Sequence, residues 1–289
     1  MHYKQYKTIL SPQNGMNLYR GCTHGCIYCD SRSVCYQMDH DFEDIEIKEN
    51  SDKILEEQLK KKRYKGMIST GSMCDPYIPL EKQLRITRRS LEIIEKYGFG
   101  VTVLTKSASI LSDLDILKRI NEKARAVIQM TLTTADEELC KIVEPYVSST
   151  RQRVEALHTF HPNDIPTVVW MTPFLPFIND TEDNLMKLLN YCLEANVKGI
   201  IFFGISLTLR EGDREYFYQK LDEHFPGVKE KYIKTYGNKY EILSKENERL
   251  SKIFHDFCEE HHILHFPNQV FSYLREFQEK KTYEQLSLF

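Results

Sequence analysis

Between residues 52 and 225 the chain alternates short, nearly continuous apolar runs with stretches of helical period. "DKILEEQLKKKR" has the helical period, and "YKGMISTGSM" reads as a strand with a glycine-bearing exit. "EKQLRITRRSLEIIEKYG" predicts one helix, with Leu84, Leu91 and Ile94 on one face and Gly98 as its stop. "GVTVLTK" is a buried strand, and "SDLDILKRINEK" a helix with Ser112 at its N-cap. "RAVIQMTLTT" and "TVVWMTPFLP" are further strands, with helical "ADEELCKIV" and "STRQRVEALHTF" between them. "TEDNLMKLLNYCLEAN" sets Leu185, Leu188, Leu189 and Cys192 at the i, i+3, i+4 and i+7 positions of one face. "GIIFFGIS" and helical "DREYFYQKLDEHF" close the series, and a short strand around "MNLYRGC" brings it to about six βα units.

Apolar strands each followed by a helix predict an α/β fold. The specific expectation is a partial (βα)6 barrel of the TIM type, functional at the C-terminal ends of its strands. After residue 225 the alternation gives way to a charged, tyrosine-rich stretch and one more long helix. The expected organisation is a barrel over 1–225, a C-terminal helical extension packed on it over 226–284, and a tail at 285–289.

Charge changes this picture little. A net charge of −3 over 289 residues gives no global case for binding nucleic acid or membrane, so an anionic partner needs a local basic patch. The N-terminal "MHYKQYKTIL" has no apolar core of signal-peptide length, and no run approaches a membrane span. A cytoplasmic protein is expected, in which the eight cysteines serve as thiols or metal ligands rather than disulfides. Cys140, Cys192 and Cys258 lie in helical patterns and read as small core residues.

The chemistry concentrates in "YRGCTHGCIYCDSR", where Cys22, Cys26 and Cys29 follow the first strand. Gly21 and Gly25 free the backbone to fold around a common ligand. Zinc wants a fourth nitrogen or sulfur; His24 and Cys35 are the candidates, neither at a usual spacing. Three thiolates with one position open favour an iron–sulfur cluster over zinc.

The C-x3-C-x2-C spacing, with the aromatic Tyr28 before the last cysteine, resembles the signature of the radical S-adenosylmethionine (AdoMet) enzymes. The resemblance implies a [4Fe–4S] cluster on Cys22, Cys26 and Cys29, its fourth iron open to the amino and carboxylate groups of AdoMet. It further implies reductive cleavage to a 5′-deoxyadenosyl radical that abstracts hydrogen from an unactivated C–H bond. Across residues 8 to 205, "YRGCTHGCIYC", "DFEDIEIKEN", "GSMCDPYIPLEKQLRITRRSLEII", "VTVLTKS", "VEPYVSSTRQRVEAL" and "TPFLPFIND" resemble the spore photoproduct lyase-like branch, whose founding activity reverts a thymine dimer in DNA.

Carried over block by block, the resemblance implies further site residues. Lys106 falls at a strand end beside the AdoMet carboxylate, and a lysine there otherwise emerges into solvent. Tyr28, Ser72, Thr131, Thr133 and Asn179 are implied around the cofactor. Plain strand propensity also accounts for the threonines, and helix capping for Asn179 with Asp180. Cys74, with Tyr28, is the candidate catalytic residue, as a hydrogen donor two positions from Ser72, where the family cysteine aligns. Cys35 is an alternative donor. The family tyrosine after the third cluster cysteine is Asp30 here, a departure that puts the lyase's radical-return path in doubt.

The case for DNA rests on smaller signals. Lys60, Lys61, Lys62, Arg63 and Lys65, and Arg85, Arg88 and Arg89, are candidate phosphate contacts, each also explained by a solvated helix face. Tyr232, Tyr236 and Tyr240 are candidates for base stacking or for packing the extension on the barrel. His261, His262 and His265 lack a ligand spacing and finish a helix. Gln285, Leu286, Ser287, Leu288 and Phe289 resemble the pentapeptide by which bacterial repair proteins bind the sliding clamp. The resulting expectation is a radical AdoMet enzyme of lyase type acting on DNA, with a flavodoxin or ferredoxin as reductant. The alternatives are the same chemistry on RNA, a peptide or a small molecule, and a non-catalytic metal-stabilised binding module.

Overall fold

Six short strands lie parallel in the order in which the chain makes them. The structure is a computed structural model that describes residues 1–280. In chain order its strands are β1 (His2–Gln5), β2 (Gly15–Met16), β3 (Tyr19–Arg20), β4 (Glu46–Glu49), β5 (Met67–Thr70), β6 (Gly100–Thr105), β7 (Ala126–Thr131), β8 (Thr167–Trp170), β9 (Gly199–Ile201), β10 (Ser206–Thr208) and β11 (Glu241–Leu243). The helices are α1 (Ser51–Lys61), α2 (Glu81–Leu84), α3 (Ile86–Lys96), α4 (Leu114–Lys123), α5 (Glu137–Val143), α6 (Thr150–Phe160), α7 (Glu182–Glu194), α8 (Asp213–His224), α9 (Val228–Tyr236), α10 (Asn247–Glu260) and α11 (Pro267–Arg275).

The main sheet has the order β2-β5-β6-β7-β8-β9. Each strand pairs with the next, without the reversal of a doubly wound sheet, as the winding of a partial barrel requires. Residue parity sets its two faces. Ile68, Val101, Val103, Ile128, Met130 and Val169 join one core with Leu91, Ile94, Leu117, Leu157, Leu188 and Leu189 of the surrounding helices. Burial of each such side chain contributes roughly 1.5–3 kcal/mol. The alternate residues Met67, Val127, Val168 and Ile201 instead meet Val270 and Leu274 of α11 on the opposite, inner face.

Local signals explain most boundaries. Gly98, at φ +67°, ends α3: its N–H reaches the Glu95 carbonyl and the Phe99 N–H the Ile94 carbonyl, a Schellman pairing. Thr181 caps α7 by accepting from the Asn184 N–H.

Four local expectations need correction. The helix expected over 81–98 breaks at Arg85, at φ +51°, because the buried Glu81 carboxylate turns inward and accepts the Thr87 N–H at 2.8 Å. Ser112 caps nothing, since a 3-10 turn over Ala108–Asp113 runs directly into α4. The strand expected at "MNLYRGC" divides: Gly15–Met16 enters the barrel, whereas Tyr19–Arg20 pairs antiparallel with β4. A three-stranded side sheet, β1-β4-β3, and the antiparallel pair β10-β11 had no clear period to announce them. No helix among the described residues is long and apolar enough to cross a membrane.

Candidate active site

The cysteine loop leaves β3 through Gly21, at φ +82°, where an added Cβ would stand 2.4 Å from the Phe42 carbonyl oxygen. That close approach lets the Cys22 N–H bond the same carbonyl at 3.0 Å. The far side of the loop is stitched to the segment after α5, by the Ile27 N–H to the Val143 carbonyl and the Tyr146 N–H to the His24 carbonyl. Cys22, Cys26 and Cys29 thereby line one cavity of about 510 Å³ at the C-terminal ends of the strands. Tyr28, Ser72, Cys74, Lys106 and Thr131 line it too.

Two buried polar frames brace this mouth. In the first, the Asp75 carboxylate accepts from the Thr105 hydroxyl, the Lys106 N–H and the Tyr77 N–H at 2.7, 2.7 and 2.8 Å. His24 Nδ1 lies 3.4 Å from the same carboxylate. Burial opposes a charge on His24, but Asp75 and Cys22 together outweigh it and raise the imidazole above its ordinary value. Gly71, at φ +98°, is required just upstream, where a Cβ would fall 1.9 Å from the Leu104 carbonyl oxygen.

The second frame is Tyr28, Glu144 and Arg153. The Tyr28 hydroxyl donates to Glu144, whose other oxygen receives Arg153 Nη2 at 2.5 Å. Arg153 is fully buried and also donates Nη1 to the Thr131 carbonyl at 2.7 Å. Burial pushes the Glu144 carboxyl up, yet Arg153 and then Lys106 outweigh it and hold the group below its usual range. Burial and the Glu144 charge together raise Tyr28 well above an ordinary phenol. The Tyr28 hydroxyl is therefore spent inside the protein, and its ring is what it offers the cavity, with Lys106 Nζ 5.6 Å from the ring centroid.

Lys106 is half-buried. Burial works against its charge, but the surrounding Cys26, Glu144, Cys29 and Asp75 hold it above the ordinary lysine value. Cys74 is buried and donates to the Asp75 carbonyl at 3.5 Å. A hydrogen bond from Cys74 holds the Cys22 thiol well below its usual value, while Cys74 is pushed up.

Other expected residues stand elsewhere. Thr133 and Asn179 do not line the cavity. Asn179 spends its amide on backbone, accepting from the Leu175 N–H at 2.6 Å and donating to the Thr133 carbonyl at 2.9 Å, so it shapes a loop and caps no helix. Cys35 is exposed and lies 3.2 Å from Arg210 Nη1, outside the cavity lining. Asp30, at the departure from the family tyrosine, accepts the Tyr36 hydroxyl at 2.6 Å.

The basic runs are only partly paired. Arg88 pairs with Asp113 and Asp115, Arg89 with Asp52, and Lys65 with Glu279. Tyr232 and Tyr236 are buried, packed against the buried Phe217 and the exposed Phe177, and of the three tyrosines only Tyr240 is exposed. Residues 285–289, the clamp-like pentapeptide, lie outside the described residues.

The three sulfurs of the loop line one cavity, into which Cys74 also faces, while Cys35 lies outside it and His24 turns to Asp75; the loop set fits a cluster with one open iron. The family model of the Radical SAM superfamily matches residues 16–221. The chain belongs to the radical SAM superfamily. Its cofactors are those of the superfamily, a [4Fe–4S] cluster and AdoMet.

Among curated relatives of this radical SAM protein is an uncharacterized protein of Methanocaldococcus jannaschii, 32% identical over 169 residues. That match covers 58% of this chain and 62% of the relative. A double variant of spore photoproduct lyase with bound AdoMet and dinucleoside spore photoproduct has the same fold, at a TM-score of 0.62 and 14% identity. It covers 86% of this chain and 74% of that one. Streptococcus suis SuiB, bound to the precursor peptide SuiA, superposes with a TM-score of 0.52 at 13% identity, covering 91% of this chain and 47% of SuiB.

Asp75, Glu144 and Arg153 escaped the sequence reading. Arg153 alone left a trace, a charge that shares a helical face with Leu157 and Phe160.

Proposed function

We propose that this radical SAM enzyme is a photoproduct lyase-like DNA repair protein. The observation that carries the reading is a single cavity shared by the three cluster sulfurs, the Cys74 thiol and the rings of Tyr28, Trp170 and Phe203. Phe203, 48% exposed, offers a planar partner an aromatic ring at the cavity. The likeness to a lyase that holds a dinucleoside photoproduct supports the same reading.

In this reading Cys22, Cys26 and Cys29 hold the cluster, and Lys106 pairs with the AdoMet carboxylate. Tyr28 gives AdoMet a ring to lie against, and Ser72 and Thr131 offer it hydroxyls. When bound, the cluster and AdoMet supply a one-electron reductive cleavage and a radical able to take hydrogen from an unactivated carbon. Trp170 and Phe203 present ring faces to a base, and Cys74 holds a hydrogen atom ready for return. A flavodoxin or ferredoxin supplies the electron, the compartment is the cytoplasm, and Gln285 to Phe289 tether the enzyme to the sliding clamp.

The test is anaerobic incubation with AdoMet, reductant and ultraviolet-irradiated DNA, followed by nucleoside analysis. Loss of a thymine photoproduct with recovery of thymidine is expected. AdoMet cleavage with every lesion left intact would turn attention to a second reading, a peptide substrate, which the likeness to SuiB favours.

A further inference from the structure

Below the cluster cavity a second chamber of about 510 Å³ lies between the sheet and α11. Ser72, Leu104 and Trp170 line both spaces, so the two adjoin. The walls of the second are the inward residues Ser69, Thr102 and Gln129, with Phe271 and Leu274 from α11. Arg275 is its one charged lining residue.

Gln129 is the unusual member. It sits in the middle of β7 at 4% exposure, where a buried amide costs stability unless it is hydrogen-bonded. Its Nε2 donates to Thr102 Oγ1 at 2.7 Å, and its Oε1 accepts from Trp170 Nε1 at 2.7 Å. These two bonds fix which end of the amide is which. They leave one N–H and one carbonyl lone pair uncommitted, beside the hydrogen that Thr102 can donate. Trp170 is itself braced edge-on by Phe203 and Phe271, at 6.2 and 6.0 Å between centroids. The chamber thus holds an oriented donor–acceptor pair next to a fixed indole. Among the described lining residues an ammonium would find no counter-charge and a carboxylate only Arg275, whereas a lactam or imide edge would find its complement.

We infer that this chamber holds a ring of the substrate, a neutral planar heterocycle with an amide-like edge, while the reacting carbon stays in the cavity of the cluster cysteines. Gln129 and Thr102 read that edge, and Trp170 stacks on the ring. The inference rests on the DNA reading above and deepens it by naming the part of the substrate that enters the barrel. Across the wall formed by Ser72 and Leu104, such a ring faces the cavity of the cluster cysteines.

Trp170 is the single tryptophan of the chain, so indole fluorescence reports on the seam between the two cavities, and the Gln129 and Thr102 variants assign the binding to the lower one. The experiment titrates anaerobic, cluster-loaded enzyme with AdoMet against thymidylyl-thymidine and, separately, against free thymine, with affinities from calorimetry. Both probes should quench the indole. Gln129→Glu, which keeps the volume but loses the amide N–H, should weaken binding by about tenfold or more. Thr102→Val should weaken it to a smaller degree, and Trp170→Phe should lower the calorimetric affinity as well as remove the signal. Iron content and Tm establish that each variant is folded. If free thymine binds in a Gln129-dependent way and the dinucleotide does not, the chamber stands and the DNA reading falls. If the dinucleotide binds with affinity unchanged in Gln129→Glu and Trp170→Phe, the chamber inference is overturned while the DNA reading stands. Binding of neither probe overturns the inference.

Discussion

Cys74 and Ser72 stand two positions apart on the loop after β5, but they stand in different places. Cys74 is buried near Cys22 and lines only the upper cavity, whereas Ser72 is shared by both chambers. If Cys74 returns hydrogen, Cys74→Ala should still yield 5′-deoxyadenosine while diverting the substrate radical to quenched side products, visible by mass spectrometry. An unchanged product distribution would remove the thiol from the mechanism. The Glu144–Arg153 pair makes a different kind of prediction. Both side chains are fully buried, so removing one partner strands the other charge. Arg153→Met should cost about 3–5 kcal/mol in denaturant unfolding; a loss below about 1 kcal/mol would mean that water reaches Glu144. The three candidate cluster cysteines stand out in the sequence because a metal demands particular atoms at a short, fixed spacing. Glu144 does not, because Tyr28 and Glu144 are 116 positions apart and only the closed barrel brings them together.

At the level of elements, the period of apolar residues announced the barrel strands and their helices because each buries one continuous face. It failed where a polar residue turned inward, as Glu81 does at the start of α2, or where a strand has two or three residues. The start of α8 carries a testable consequence of such burial. Burial pushes Asp213 from an ordinary 3.8 up to about 6, and its Oδ2 has no hydrogen-bond partner among the described residues. The unfolded chain therefore releases this proton at lower pH than the folded one. Stability should fall as pH rises between about 4 and 6, then level off. The substitution Asp213→Asn keeps a side-chain oxygen to accept the Arg210 N–H, a bond of 2.6 Å in the native protein, but removes the titrating group. It should accordingly flatten this part of the Tm–pH curve, and a profile identical to wild type would contradict the assignment.

The whole molecule joins a parallel barrel to a C-terminal segment whose last described helix, α11, fills the inner face and lines the lower chamber. The sequence pattern showed that the extension exists; that it enters the barrel depends on contacts between Val270 and strands far upstream, which no local period records. A chain of net charge −3 has little attraction for DNA of its own, so a tether would raise its local concentration on the duplex. Deleting residues 285–289 should leave folding and AdoMet cleavage intact while abolishing calorimetric binding to a bacterial sliding clamp. An unfolded deletion variant, or full-length protein that binds no clamp, would make the tail structural. The central claim, that Cys22, Cys26 and Cys29 together hold the cluster that cleaves AdoMet, is tested most directly by measuring 5′-deoxyadenosine. Anaerobically reconstituted, dithionite-reduced wild type should form it from AdoMet, and Cys22→Ala, Cys26→Ala and Cys29→Ala should each form none. Formation at the wild-type rate in any one of the three would contradict the claim.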